Sequence, residues 1–216
     1  MSGHDDFAYE PVPGLPAPLP AGERLLWQGS PDWRSLAIHA FHVRKVVLYF
    51  LALIAWRVAA GVEMGHTAPA IALGCAWLAG LGAVAAGVLC LLAYFGARAT
   101  VYSITTGRLV ARHGVAVPMT VNIPYALVDS AAVRRYADAC GDLSIAVPRE
   151  HRVGYLITWP HVRPGRFTRP ELSFRSLRDV DHAAEVLAEA LRGSVATPAD
   201  ARPLPTGVGP RTAAVA

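Results

Sequence analysis

The amino-acid sequence predicts an α+β membrane protein, in which a two-helix transmembrane hairpin is followed by an antiparallel β domain that one C-terminal α-helix closes. Three observations lead to this prediction. Residues 67–97 contain no Asp, Glu, Lys or Arg. Directly afterwards, apolar and polar residues alternate with a period of two, and residues 180–191 repeat apolar positions with the period of a helix. The 216 residues therefore divide into a membrane part and an aqueous part.

The first 22 residues are predicted to form a flexible cytosolic arm. They contain Asp5, Asp6 and Glu10, several prolines and no Lys or Arg. Secretory and transit peptides need early positive charge, so this segment matches neither of them.

Residues 23–45 are predicted to lead into the membrane along its interface. Ser30 is expected to cap a helix that has Pro31 at its first position. The basic residues of this segment suit a helix at the level of the lipid headgroups, and the alternative is that it forms the first turns of the membrane helix. The expected apolar face consists of Trp33, Leu36, Ala37, Ala40 and Phe41.

The two transmembrane helices are predicted over residues 46–62 and 70–95, which form the hairpin 46–96. Arg57 lies inside the first helix, and it is expected either to snorkel to the far interface or to face an acidic group of a partner. Basic residues flank the hairpin and are absent from its connecting loop. The positive-inside rule therefore predicts a multi-pass protein of the bacterial inner membrane with both termini in the cytoplasm. The flanking basic residues are Arg34, Arg44, Lys45, Arg98, Arg108 and Arg112.

Small residues recur every four positions along the second helix and permit close helix packing in lipid. They either pack against the first helix of the same chain or contact another protein. One row consists of Ala72, Ala76 and Gly80, and the other of Ala79, Ala83 and Gly87. Gly80, Ala83 and Gly87 are candidate partner-binding residues.

Residues 97–193 are predicted to form the β domain and its closing helix, and residues 194–216 a disordered tail. Asp179 is expected to cap the closing helix and Gly193 to end it. The apolar stripe of this helix is Val180, Ala183, Ala184, Leu187 and Leu191. The strand candidates are residues 100–105, 109–113, 115–123, 130–136, 142–147, 153–158 and 171–176.

The chain lacks the motifs that would indicate catalysis. It has no Gly-rich phosphate loop, CxxC, HExxH or GxSxG, so the sequence predicts no enzyme, no catalytic residue, no cofactor and no metal site. His39 and His42 could in principle ligate a metal or a pigment, but without a third ligand an interfacial polar pair is favoured. The dispersed arginines give a net charge of +4 and no basic stripe, which argues against nucleic acid as a partner.

A second candidate partner-binding segment follows residue 158. It is either a solvated loop with its tryptophan in the core, or a contact surface whose arginines bind carboxylates or phosphates. Its candidate residues are Trp159, His161, Arg163, Arg166 and Arg169.

Three segments resemble those of the bacterial pleckstrin-homology-like (PH-like) membrane proteins: GERLLWQGSPDW at 22–33, TVYSITTGRLVARHGV at 100–115 and NIPYALVDS at 122–130. This resemblance implies a PH-like β domain. Longer stretches resemble the PuhB family of photosynthetic complex assembly proteins from purple phototrophic bacteria. They cover residues 4–50, VPMTVNIP at 117–124 and GYLITWPHVRPGRFTRPELSFR at 154–175.

The second resemblance implies a membrane-bound assembly factor for the photosynthetic reaction centre and the core light-harvesting complex. Such a factor acts by protein–protein binding, with reaction-centre and core light-harvesting subunits and the lipid bilayer as partners, and a homodimer is compatible with it. The alternative is a PH-like adaptor, unrelated to photosynthesis, that binds anionic lipid through residues 163–178.

Overall fold

The computed structural model describes residues 14–15, 18–115, 118–148, 150, 154–166 and 168–196. Its strands are β1 (Leu25–Gly29), β2 (Val101–Thr105), β3 (Arg108–His113), β4 (Met119–Pro124), β5 (Ser130–Arg135), β6 (Gly141–Ala146) and β7 (Leu172–Leu177). Its helices are α1 (Trp33–His39), α2 (Val43–Glu63), α3 (Ala68–Arg98), α4 (Tyr155–Thr158) and α5 (Val180–Ala196). The predicted α+β fold class is confirmed.

Helices α2 and α3 form the hairpin, and each extends a few residues beyond its predicted bounds. The indoles of Trp56 and Trp77 are 75% and 74% exposed, and many other large apolar side chains of the hairpin are exposed as well. Such a surface is costly in water and favourable in lipid. The two helices are long and apolar enough to cross a membrane, which indicates that the protein associates with one.

Glycines of α3 bring the two hairpin helices together. A Cβ added to Gly82 would lie 2.9 Å from Cγ of Phe50, and one added to Gly74 would lie 2.7 Å from Nε of Arg57. In contrast, Gly80 and Gly87 have no such neighbour within 4 Å. The predicted small-residue rows are exposed and do not pack against α2, so the intramolecular interpretation of these rows is wrong.

The guanidinium of Arg57 lies between the helices, near the loop end of the hairpin. Besides its contact with Gly74, its Nη1 approaches the position that a Cβ of Gly61 would occupy, at 2.9 Å. Glycine at both positions leaves room for the side chain, which extends from α2 towards the loop. This direction agrees with snorkelling to the far interface.

The β domain consists of two antiparallel sheets, with strand orders β1-β2-β3-β4 and β5-β6-β7. The side chains of Tyr102, Ile104, Leu143 and Phe174 are buried between them. Helix α5 covers this core with its predicted apolar stripe, in which Val180, Ala183 and Leu187 are fully buried and Ala184 and Leu191 partly buried. Gly193 does not end the helix, which continues to Ala196 because one interior glycine costs only about 1 kcal/mol.

The segment before the hairpin contributes a strand to the β domain, which the sequence did not predict. Strand β1 pairs with β2 through contacts such as Trp27 with Ile104. Glu23 strengthens this edge, because its carboxylate accepts two hydrogen bonds of 2.8 Å from the Arg108 guanidinium. Residues 23–45 are therefore not simply an interfacial lead-in.

Helix α1 begins two residues later than predicted. Asp32 is its N-cap, and its Oδ1 accepts hydrogen bonds from the backbone N–H groups of Arg34 and Ser35 at 3.0 and 2.9 Å. Ser30 was the wrong choice, because the side chain of Asp32 satisfies these otherwise free donors. The backbone N–H of Asp32 also donates to Ser176 O at 2.8 Å, which fixes this cap to β7.

Helix α1 is also not the start of the membrane helix. His42, with φ of 56°, interrupts the chain between α1 and α2. The apolar face of α1 is covered by protein rather than by lipid, because α1 packs on α3 and β7 and buries Leu36 and Ala37.

Three further predictions need correction, and parts of two of them lie outside the described residues. The predicted strand 153–158 is the helical turn α4. The supposedly flexible arm is anchored at Leu15, which is buried, while residues 1–13 and 16–17 are not described. The predicted tail is helical as far as Ala196, and residues 197–216 lie outside the description.

Candidate functional site at the hairpin junction

Five buried polar residues meet where the end of α3 joins the β domain. We call Thr100, Tyr102, Asp142, His161 and Arg175 the junction cluster. Thr100 follows the membrane helix, Tyr102 is on β2, Asp142 on β6 and Arg175 on β7, while His161 lies in the loop after α4. All five side chains are buried.

The imidazole of His161 connects the membrane helix to the sheet. Its Nδ1 lies 2.6 Å from the hydroxyl of Tyr102, and its Nε2 lies 3.2 Å from Oγ1 of Thr100. Oγ1 of Thr100 donates to Gly96 O in the last turn of α3, at 2.7 Å. The loop after α4 is thus bonded, through the side chains of His161 and Thr100, to the end of α3.

The hydrogen-bond network assigns the protons of His161. The Tyr102 hydroxyl accepts from the backbone N–H of Arg175 at 3.1 Å, and its single proton is donated to Nδ1 of His161. Nε2 then carries the imidazole proton and donates it to Thr100. Burial, with the nearby charges of His113 and Arg175, lowers the pKa of His161 to about 3, so that its neutral form is the stable one.

Arg175 and Asp142 form a buried ion pair, with Nε and Oδ2 separated by 2.9 Å in a geometry that is not a hydrogen bond. The other guanidinium nitrogens donate to the backbone oxygens of Pro160, Val162 and His39 at 3.2–3.4 Å. Asp142 accepts from the backbone N–H of Ser176 at 2.9 Å. Arg175 therefore connects α1, β7 and the loop after α4 through one side chain.

A histidine of α1 continues this network towards the surface. The ring of His39 stacks on that of Tyr136, with centroids 3.7 Å apart, and its Nε2 lies 3.4 Å from Oδ2 of Asp138. The Tyr136 hydroxyl donates to Asp142, and burial together with this bond raises the pKa of Tyr136 to about 12. His42 is exposed and lies between α1 and α2. The described residues contain no group of three His, Cys, Asp or Glu side chains that could hold a metal ion.

The predicted contact segment does not match the interpretation that places its tryptophan in the core. Trp159 is 48% exposed and contacts Phe41 edge to face, with centroids 5.3 Å apart. His161 is buried and cannot contact a partner directly. The sequence alone did not indicate that Trp159 is exposed and His161 buried, because the partners of His161 lie about 60 residues away. These partners are Thr100 and Tyr102.

The arginines of this segment differ in their pairing. Arg163 and Arg166 both contact Glu171, with N–O distances of 2.9 and 3.2 Å. Arg169 is exposed. The surface beside Trp159 thus presents one arginine without a carboxylate partner among the described residues, and two that share a carboxylate.

Two comparisons with known proteins agree with this architecture. Residues 38–191 match the bacterial PH domain family, and the chain belongs to that family. It is also 35% identical, over 199 residues, to a Rhodobacter capsulatus protein described as an uncharacterized 23.7 kDa protein in the puhA 5′ region, with 92% of each chain covered. Both findings confirm the resemblance to PuhB-like proteins. No solved structure matches the chain significantly.

Proposed function

We propose that the protein is a membrane-bound assembly factor for the photosynthetic reaction centre and core light-harvesting complex, and that it acts by binding proteins rather than by catalysis. The relative from the puhA region supports the biological setting. The observation that carries the mode of action is the exposed row of small residues on α3. Gly80, Ala83 and Gly87 lie away from α2 and leave a flat helix surface unoccupied in the single chain.

A flat surface of this kind favours association in lipid. Lipid tails are as apolar as leucine, so helices associate there by close backbone approach and dispersion. Gly80 and Gly87 have no neighbouring atom within 4 Å of an added Cβ, and a partner helix could therefore approach the backbone of α3 directly. A transmembrane helix of a photosynthetic subunit is the proposed partner.

The pairing of β1 with β2 supports a defined topology. Gly29 precedes the hairpin and Tyr102 follows it, yet the two residues are partners in one sheet. If the hairpin crosses the bilayer, both of its ends lie on the same side as the β domain. The basic residues on that side favour the cytoplasm under the positive-inside rule.

The surface around Trp159 is the proposed second contact. Trp159, Arg166 and Arg169 are exposed, and Arg163 is partly so. Tryptophan and arginine are enriched among the residues that dominate binding energies at protein interfaces. Because the protein is confined to the membrane plane, two weak contacts would reinforce each other through a high effective concentration.

Co-purification from cells that are assembling photosystems tests the proposal. The variant Gly80→Leu/Ala83→Leu/Gly87→Leu is expected to insert normally and to recover much less of the reaction-centre subunits than the wild type. The matched control is Leu81→Phe/Val88→Phe, which adds bulk to an exposed flank roughly a third of a turn away. Unchanged recovery with the leucine variant would reject the helix contact, and equal loss with both variants would reject its location.

The arginine pairing disfavours the alternative of a lipid-binding adaptor that uses residues 163–178. Arg163 and Arg166 share Glu171, Arg175 is buried with Asp142, and Arg178 contacts Asp32. Few of the positive charges in this region are therefore left for an anionic membrane surface.

A further inference from the structure

A groove lies between the start of α1 and the end of α3, outside the surfaces described so far. It is open to solvent and has a volume of about 310 Å³. Its lining combines apolar side chains with one cation, Arg98, and the hydroxyl-bearing side chains of Ser30, Tyr94 and Thr100. The lining residues include Ser30, Pro31, Trp33, Tyr94, Arg98 and Val101.

Two aromatic rings of this groove each stack with an arginine: Arg98, which lines the groove, and Arg34, the chain neighbour of the lining residue Trp33. Trp33 and Tyr94 meet edge to face, with centroids 6.1 Å apart. Arg98 lies over the Tyr94 ring at 5.7 Å and donates a hydrogen bond of 2.9 Å from Nη1 to its hydroxyl. Arg34 lies over the Trp33 ring at 5.4 Å. Stacking of this kind limits the freedom of both guanidinium groups while their remaining N–H groups stay available.

The positive charge of this pair is not neutralised by the part of the chain that the structure describes. Arg34 and Arg98 are exposed, and neither has a carboxylate partner among the described residues. Asp32, the neighbour of Trp33, is already engaged, because the Arg178 guanidinium donates to its Oδ2 at 2.8 Å from Nε. The groove therefore has an unbalanced positive rim.

The groove lies at the depth where lipid headgroups are expected. The exposed apolar side chains of α3 continue through Leu91, Leu92 and Phe95, and Arg98 follows less than one turn later. At 1.5 Å per residue, the 31-residue helix is about 46 Å long, which exceeds the roughly 30 Å hydrocarbon core, so one end reaches the polar layer. Tryptophan and tyrosine are typical of this layer.

We propose that the groove binds the phosphate of an anionic phospholipid from the leaflet on the side of the β domain. The guanidinium groups of Arg98 and Arg34 donate charge-assisted hydrogen bonds to the phosphate oxygens. The acyl chains extend along the exposed apolar surface of α3 below Phe95. The site holds the junction between hairpin and β domain at a fixed depth in the bilayer.

Lipid retention by the purified full-length chain tests this site. The protein, in mild detergent, is titrated with phosphatidylglycerol or phosphatidylcholine, and bound lipid is counted by native mass spectrometry. Phosphatidylglycerol is expected to bind the wild type more tightly, with a loss of about fivefold for Arg34→Gln or Arg98→Gln and about 30-fold for both. Inorganic phosphate at millimolar concentration is expected not to displace it, because the acyl chains contribute to binding.

The control is Arg135→Gln/Arg192→Gln, which removes two exposed arginines from β5 and α5 and is expected to bind phosphatidylglycerol like the wild type. Circular dichroism verifies that each variant is folded. If the double variant is not folded, the loss of affinity is measured with the two single variants alone. The proposal would be overturned if the Arg34 and Arg98 variants bound phosphatidylglycerol as tightly as the wild type does. It would also be overturned if the wild type bound both lipids equally well, or if inorganic phosphate displaced phosphatidylglycerol.

Discussion

The guanidinium of Arg175 lies 2.9 Å from the carboxylate of Asp142, and less than 5% of either side chain is exposed. A buried pair of this kind contributes little compared with apolar packing, yet the loss of one partner is costly because the other charge stays uncompensated. Arg175 also donates to the backbone of α1 and of the loop after α4, so the ion pair helps to hold these two segments against β7.

We expect Asp142→Asn to lower the free energy of unfolding by about 3–5 kcal/mol, because it leaves Arg175 buried and unpaired. Denaturant unfolding of the full chain in detergent measures this. Asp181→Asn is the control, since it removes the partner of an exposed arginine, Arg135, and should change stability little. Similar effects of the two substitutions would contradict the structural role of the buried pair.

Acidification is expected to destabilise the protein through its buried histidines. A histidine in an unfolded chain has a pKa near 6.5, whereas burial lowers the pKa of His161 to about 3 and also lowers that of His113. Between these values the unfolded chain binds more protons. The stabilisation is therefore complete above about pH 6.5 and is lost as the pH falls towards 3.

At pH 5.5 this loss is on the order of 1 kcal/mol for His161 alone. We expect the melting temperature to be several degrees lower at pH 5.5 than at pH 7.5. His161→Gln should reduce the difference between the two pH values, while His182→Gln, at an exposed position on α5, should preserve it. A melting temperature independent of pH in the wild type would argue against a neutral His161 in the folded state.

The packing of the hairpin can be tested by two substitutions two residues apart. Gly82→Leu places atoms where Phe50 already lies, and we expect it to destabilise the hairpin by about 1–3 kcal/mol. Gly80→Leu meets no neighbour and should leave hairpin stability unchanged. Unfolding in mixed micelles of increasing SDS content compares them, and the reverse order of stability would show that α2 packs on the other face of α3.

The anchoring of β1 gives a fourth prediction. Glu23→Ala removes the bidentate bond to Arg108 and a hydrogen bond from Thr105, and we expect a cost of about 1–3 kcal/mol. Amide hydrogen exchange across residues 25–29 should become faster. Glu63→Ala, at the exposed end of α2, serves as the control. Unchanged protection in the Glu23 variant would mean that other contacts hold the strand.

The features that local patterns determine were predictable from the sequence. The hairpin follows from an uncharged apolar run, and the apolar stripe from Val180 to Leu191 follows from helical periodicity, so both were found close to their observed positions. Strand β1 was missed because its partner residues, such as Ile104, come only after the hairpin. The five residues of β1 alone do not show that they pair with a strand more than 70 residues later in the chain.

The junction cluster was missed for a related reason. His161 was recognised as unusual beside Trp159, but its burial depends on hydroxyl groups from Thr100 and Tyr102. A polar residue becomes acceptable in a core only when its hydrogen-bond partners are present, and a single segment does not show them. The exposure of the small-residue rows likewise depends on which face of α3 meets α2.

The position of the hairpin between two adjacent strands has a consequence for biogenesis. Residues 30–100 must be synthesised before β1 can pair with β2, and if the hairpin crosses the bilayer, both of its helices must insert for the two strands to lie on the same side. A chain with only one helix inserted would hold the two strands on opposite sides of the membrane, with the edge of β2 unpaired. With this topology, β1 and β2 can pair only in molecules in which both helices have inserted, so completion of the sheet depends on correct insertion of the hairpin.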